Sequence, residues 1–284
     1  MHFSDTALFA ESWNVAFRER PQGSILQDQS TPFIIIPNTP RHWAADPMVF
    51  SHEGETYIFA ELYDYILWRG VIGVCRYLGN GRFSPWKPII QEDFHMSYPY
   101  VFRSGGEIYM IPETSRHHKV LLYRAVEFPF KWTLERTLAD HVQWADTSIY
   151  PTENGFCGQT QAYGKDGTRD LELRFSRDLE LLEATARPNT DPRTHRPGGR
   201  PFIHGGAMFH ICQDCREGYG KALFFRSEGG ELHLKPQDLT YSRDIFLDGM
   251  HTYSATEDFE VIDIKTRRLN LLNLAMRLKN KLQH

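Results

Sequence analysis

The sequence predicts an all-β fold, a five-bladed β-propeller of four-stranded antiparallel blades. Three observations carry this reading. The stretch DPMVFSHEGETYIFAE, residues 46 to 61, has a near-copy in YPYVFRSGGEIYMIPE, residues 98 to 113, and both place Pro second, Phe fifth, Gly ninth, Tyr twelfth and Glu sixteenth. Apolar and polar residues alternate on either side of a glycine-containing turn, which reads as a β-hairpin. Weaker copies begin at Asp146, Arg200 and His251, so the five starts are spaced by 52, 48, 54 and 51 residues. Units of about fifty residues, each a hairpin followed by two more alternating stretches, match blades of a propeller.

Taken in chain order, WNVAFRE (residues 13 to 19) is a strand without a hairpin partner, and is expected to close the ring by joining the last blade. A closed ring leaves only short edges. The first unit continues from its hairpin into GVIGVCRY and GRFSPWKPII, and the second into KVLLYRA and FPFKWTLERTL. Trp86 and Trp132, in these outer stretches, read as packing between blades. The third unit opens on DTSIYPTENGFCGQ, the fourth on RPFIHGGAMFHICQD and the fifth on HTYSATEDFEVID. Glycine and proline are spread among turns, so residues 1–265 form one unit without an internal boundary. Residues 266–284 change character. Leu271, Leu274, Leu278 and Leu282 fall on one helical stripe, with Arg267, Arg268, Arg277, Lys279 and Lys281 elsewhere. This predicts a C-terminal amphipathic basic helix, either packed on the ring or a second subunit, or docked on an anionic membrane surface.

Composition narrows the function classes. The 284 residues carry a net charge of −4, and the basic residues do not gather on any strand, so no phosphate backbone is expected as partner. The start, MHFSDTALFAESW, lacks a basic and apolar leader, and no stretch approaches 18 apolar residues. The expected location is the cytoplasm, with the terminal helix able to hold the protein at the inner membrane surface. Four cysteines do not make a disulfide framework, and on an alternating strand Cys212 and Cys215 would point to opposite faces.

The first strand of each blade lines the axis, so the residues that start the repeats should converge. These are Asp46, Tyr98, Asp146, Arg200 and His251, with His95, Ser97, Thr147, Arg196 and Thr252 beside them and Glu61, Glu113, Gln213 and Asp214 ending the second strands. Duplicates that served packing alone should share small or apolar residues there, and these diverge into acids, a base, a phenol and an imidazole. One reading is a wet channel whose charges satisfy one another. The other is a sugar site, with Trp43, Tyr98, Tyr100 and Trp144 offering flat faces beside the carboxylates. Chemistry at an anomeric carbon needs two carboxyl groups. Asp46 and Glu113 are the preferred pair, with Asp146 raising the acid's pKa by like-charge repulsion. Glu61, His95, Tyr98, Arg196, Arg200, Gln213, Asp214 and His251 are the expected substrate contacts. No cofactor is expected. An axial cation held by His251 or His95 stays open.

The blocks DPMVF with YIFAE, HMSYPYVF with EIYMIPE, DTSIY, RPGGRPF, QDCREGYG and GMHTYSA together resemble the N-terminal domain of plant glucosamine inositolphosphorylceramide transferases, which also occurs in bacterial proteins. The resemblance runs from about Trp13 to Asp263. It implies a five-bladed propeller similar in architecture to glycoside hydrolase family 43. In that hydrolase family an Asp of the first blade is the base, an Asp of the second tunes pKa and a Glu of a later blade is the acid. Asp46 matches the first position. Tyr98 stands where the second Asp would be, and Glu113 lies on the second blade, so the set departs from the hydrolytic pattern. In the plant enzymes sugar transfer is ascribed to a separate C-terminal domain. Two function classes follow: an enzyme acting on a glycan, nucleotide-sugar or glycolipid in surface polysaccharide or glycolipid assembly, and a module that binds a glycan or a glycosyltransferase partner without chemistry.

Overall fold

The computed structural model describes residues 9–20 and 23–269. The chain opens with β1 (Phe9–Glu19) and the short β2 (Ile34–Ile35). The first blade is then β3 (His42–His52), β4 (Glu55–Asp64), β5 (Arg69–Arg76) and β6 (Lys87–Ile90). The second is β7 (Ser97–Ser104), β8 (Glu107–Glu113), β9 (Lys119–Glu127) and β10 (Lys131–Asp140). The third is β11 (Trp144–Thr152), β12 (Gly155–Gly164), β13 (Gly167–Phe175) and β14 (Leu181–Arg187). In the fourth, β15 (Arg196–Pro197) and β16 (Phe202–His204) share the inner place, followed by β17 (Ala207–Asp214), β18 (Ala222–Ser227) and β19 (Gly230–Leu234). The fifth is assembled from both ends of the chain: β20 (Tyr253–Ala255), β21 (Phe259–Leu269), β1 and β2, in that order outward. Five antiparallel sheets result, as the repeats predict. The N-terminal strand closes the ring by pairing along the whole of β21, from Phe9 opposite Leu269 to Glu19 opposite Phe259.

Burial follows distance from the axis. Residues 44–50 of β3 and 97–102 of β7 are buried without interruption, because an inner strand has a neighbouring blade on each face. The outermost β14 is exposed along almost all its length. Trp132 packs edge-on against Phe59 of the first blade, with ring centroids 5.9 Å apart, and buried Trp86 joins a cluster with Val15 and Phe17 of β1. Both tryptophans therefore pack between blades. The four cysteines are free thiols.

Two expectations are corrected. β21 continues through residues 266–269, so the stretch assigned to a helix begins as strand, and the remainder, 270–284, lies outside the described residues. No α-helix occurs among the described residues. The fourth inner strand does not start at Arg200. It starts at Arg196 and is split where Gly198 and Gly199 approach the fifth blade; a Cβ on Gly199, whose φ is 149°, would sit 1.8 Å from the carbonyl oxygen of Tyr253.

Three inner strands share one local device. The register slips between Ala45 and Met48, between Ser97 and Tyr100, and between Ala145 and Ser148. Within each slip one residue adopts the left-handed region: Asp46 (φ 51°), Tyr98 (φ 44°) and Asp146 (φ 55°). Such a bulge re-aims a side chain and frees backbone N–H groups from the ladder. Asp tolerates the conformation, whereas a tyrosine there is strained by about 1–3 kcal/mol. The repeat starts are thus the bulges.

Candidate active site

An axial cavity of about 440 Å3 opens at the end of the ring where inner strands begin and second strands finish, and of the three bulge residues Asp46 lines it. Of the expected residues, Asp46, Glu61, His95, Glu113, Arg196 and His251 line it. Asp146 lies just behind its wall, and Gln213 behind Asp146, both buried.

Asp46 is the best-braced member. Its Oδ1 accepts the Thr252 hydroxyl at 2.8 Å, its Oδ2 accepts the Tyr98 backbone N–H at 3.3 Å, and His251 Nε2 stands 3.7 Å from Oδ1. The strained Tyr98 backbone therefore has an identifiable use. Burial raises the Asp46 carboxyl to about 6, although His251 opposes the shift. Asp263, which sequence reasoning missed, accepts the backbone N–H groups of His251 and Thr252 at 2.8 and 3.0 Å and pairs with His251 Nδ1 at 2.5 Å. Burial pulls the imidazole down, but Asp263 and Asp46 outweigh it and hold His251 above its ordinary value. Trp13, from the closing strand, stacks on His251 with centroids 4.1 Å apart. An acid inside the alternating strand FEVIDIK was the available signal for Asp263. Trp13 carried none.

Asp146 receives Arg196 Nε at 2.5 Å and Gln213 Nε2 at 2.6 Å on one oxygen, and its Oδ1 is buried without a hydrogen-bond partner. Arg196 also donates to the Tyr163 hydroxyl at 3.1 Å and lies over the ring of Tyr219. Glu113 accepts the Ser115 backbone N–H at 3.2 Å; burial and then the nearby Asp146 push its carboxyl to about 7. Glu61 is driven well above the carboxylate range by burial, with Asp46 and Glu113 adding repulsion, and its Oε1 is buried and unbonded. His95 Nδ1 accepts the Gly70 N–H at 2.9 Å, so its proton sits on Nε2, 3.6 Å from Glu61. Burial and then Arg116 lower the His95 imidazole to about 4.

The remaining expected contacts lie elsewhere. Tyr98 is fully buried with its hydroxyl 2.7 Å from Ser148 Oγ. Arg200 reaches the carbonyl of Val101 and lies over the Tyr100 ring. Asp214 is held outside the cavity by Arg216 at 2.6 Å and His233 at 2.9 Å, and the hydrogen bonds from Arg216 lower it to about 2. Among the aromatics, Trp43 lines the cavity and stacks flat on Tyr63, 4.8 Å away, while Tyr100 and Trp144 do not line it.

Chemically, the cavity sets two protonatable carboxyls, Glu61 and Glu113, opposite a hydrogen-bonded Asp46 and an arginine-bound Asp146. Such separation of carboxyl environments permits acid and base roles in one site. Asp46, His251 and Asp263 each offer a ligand atom within 4.8 Å of one another and are the residues that could hold a cation.

The family model described as glucosamine inositolphosphorylceramide transferase 1, N-terminal, matches residues 34–228. The chain belongs to this family. Over 195 residues it is 32% identical to glucosamine inositolphosphorylceramide transferase 1 of Oryza sativa subsp. indica, covering 65% of this chain and 26% of the rice protein. The chain therefore spans about a quarter of the length of the curated relatives it matches. In fold it is similar to the catalytic domain of the Coprinopsis cinerea GH62 α-L-arabinofuranosidase, with TM-score 0.59, 11% identity and coverage of 89% and 97% of the two chains. It is also similar to the GH43_1 enzyme from Xanthomonas citri, with TM-score 0.57, 11% identity and coverage of 82% and 89%. At that identity the likeness concerns architecture, as the family resemblance implies.

Proposed function

We propose that the axial cavity is a sugar site that acts on a glycoside or an activated sugar, with Asp46 as base or nucleophile and Glu113 as acid. The observation that carries this reading is electrostatic. The fold gathers Asp46, Glu61 and Glu113 at one cavity against Arg196 and His251, with Asp146 and Asp263 buried behind them, and leaves buried oxygens of Glu61, on the lining, and Asp146, behind it, without hydrogen-bond partners. A channel whose charges merely satisfied one another would pair those atoms. Sugars carry many hydroxyl donors for the Glu61 oxygen on the lining, and Trp43, Trp13 and Tyr219 give the cavity apolar faces. Asp46, at about 6, ionises before Glu113, at about 7, the order that base and acid require.

Family membership supports a carbohydrate or glycolipid ligand, because the matched relatives are named glucosamine inositolphosphorylceramide transferase 1. A second reading draws on the quarter of those relatives that the chain spans: a module that presents a glycan to a glycosyltransferase. Cytoplasmic placement, with residues 266–284 near membrane-linked intermediates, belongs to the same proposal. The deciding experiment screens aryl glycosides and nucleotide-sugars for turnover, with saturation-transfer NMR for binding. Asp46→Asn or Glu113→Gln should lower turnover by about 10²–10⁴ with sugar binding kept. Binding without turnover of any substrate by the wild type would replace the enzyme with the module.

A further inference from the structure

On the flank of the ring, toward the hairpin-turn end, a depression of about 470 Å3 lies where the third and fourth blades meet. Its lining includes Arg187 at the end of β14, Gly206 and His210 on the fourth blade's second hairpin strand and turn, and Arg226, Ser227 and Glu228 beyond them. β17 sets His210 directly across from Arg226 on β18, and Tyr150 of the third blade meets the His210 ring edge-on, with centroids 5.7 Å apart. Neither Arg187 nor Arg226 has a carboxylate at ion-pair distance among the described residues, whereas Arg196 and Arg216 each do. His210 Nδ1 is buried without a hydrogen-bond partner.

Two guanidinium forks and one orphaned ring nitrogen around a single depression form an incomplete arrangement. The carboxylates across the strands, Asp170 from Arg187 and Glu231 from Arg226, are paired with His195 and Arg193 instead, so a neutral ligand would leave both guanidinium groups without an ion pair. A tetrahedral anion has enough acceptor oxygens to meet both forks and the imidazole at once. We propose that this depression binds a phosphate group, either as a free or sugar-borne phosphate or as a lipid headgroup. The site is separate from the axial cavity and does not depend on the chemistry there.

Geometry supplies a distinguishing signature. Burial, then Arg187 and Arg226, hold His210 below its ordinary range, with Glu172 opposing them. Bound phosphate would cancel the two arginine charges, so His210 should take up a proton as the ligand enters. Glu228, exposed at the rim, should weaken the anion rather than assist it.

Isothermal titration of the whole chain with inorganic phosphate and with glucose 6-phosphate, in two buffers of different ionisation enthalpy near pH 7, tests the proposal. Co-sedimentation with phosphatidylcholine vesicles containing phosphatidic acid tests the lipid source. Arg187→Gln and Arg226→Gln should each weaken binding at least about tenfold, Glu228→Gln should tighten it, and Arg82→Gln, at an exposed arginine of the first blade, should leave it unchanged. His210→Gln should abolish the proton uptake. Binding of the soluble phosphates alone assigns a soluble ligand, and vesicle binding lost in the arginine variants assigns a lipid headgroup. The proposal fails if no probe binds, or if the Arg187→Gln/Arg226→Gln double variant, folded with an unchanged Tm, binds as tightly as the wild type.

Discussion

At the scale of single residues, the axial carboxyls are held against their electrostatic preference, and that has measurable consequences. Glu113 carries a folded-state pKa of about 7 against an ordinary 4.5, chiefly from burial. A carboxyl raised in this way favours the folded state while protonated, and loses that advantage as pH rises from about 4.5 through about 7. Glu113→Gln should therefore raise stability by about 1–3 kcal/mol at pH 7.5, since a tenfold change in a protonation equilibrium is worth about 1.4 kcal/mol. Urea unfolding at pH 7.5 and pH 4 checks this: the gain should shrink toward zero at the lower pH. A carboxylate kept as a structural counterion would behave oppositely, with the Gln variant less stable at pH 7.5. Turnover carries a second signature. For the proposed chemistry Asp46 must be ionised, above about 6, and Glu113 protonated, below about 7, so kcat/KM should form a narrow bell centred between them. Asp46→Asn should remove the acidic limb. A profile flat from pH 5 to 8 would exclude these two residues as the working pair.

At the scale of strands, the sequence was most legible where the repeats are most alike. The hairpins at 46 and 98 align residue for residue, and so do their bulges, although nothing in composition marks a left-handed backbone at Tyr98. The fourth blade was read four residues late. RPGGRPF contains two arginines, and the strand signal after Gly199 was stronger than the two-residue piece before it, so Arg200 took the place that Arg196 occupies. Asp263, in the same hairpin as His251, is legible as an acid in an alternating strand, but it lies mid-strand, where a reading of strand starts and ends does not reach. The fifth blade yielded His251 but not Trp13, because its second and third strands come from opposite ends of the chain. Periodicity reports local pattern and cannot pair distant segments. The split in the fourth inner strand gives a sharp test. Gly199→Ala would drive a Cβ into the Tyr253 carbonyl, whereas Gly205, also left-handed at φ 56°, has nothing within 4 Å of that position. Gly205→Ala should cost about 1–2 kcal/mol, the ordinary left-handed penalty. Gly199→Ala should cost well beyond that or prevent folding, measured as Tm and soluble yield side by side. Equal losses would mean that the fourth and fifth blades do not meet there.

At the scale of the whole ring, closure depends on one buried clasp between chain ends. Arg18 on β1 donates Nε to Glu260 Oε2 on β21 at 3.0 Å, with Nη2 2.9 Å from the same oxygen. The arginine is 2% exposed and Glu260 is fully buried. The pair is further satisfied: Glu260 accepts the Ile25 N–H at 2.8 Å and the Tyr253 hydroxyl at 3.0 Å, and Arg18 donates to the carbonyls of Asp28 and Thr31. Placing charges in the interior gives little net stability by itself, and removing Arg18 leaves Glu260 with a single cation, Arg20, whose Nε stands 3.2 Å from Glu260 Oε1. Arg18→Met should therefore cost about 2–3 kcal/mol, less than the roughly 3–5 kcal/mol of a buried charge left wholly unpaired, and lower the Tm by several degrees. The triple variant Arg18→Met/Arg20→Met/Glu260→Leu removes all three charges of the cluster and should recover much of the loss. Because Trp13 and Asp263 ride on the same two strands and brace His251, loosening the clasp should also weaken the proposed sugar binding at the axial cavity before the ring unfolds. Thermal melts and ligand titrations of the three proteins below their Tm separate these effects. A single variant as stable as the wild type would mean that the 11-residue β1–β21 ladder closes the ring without the ion pair.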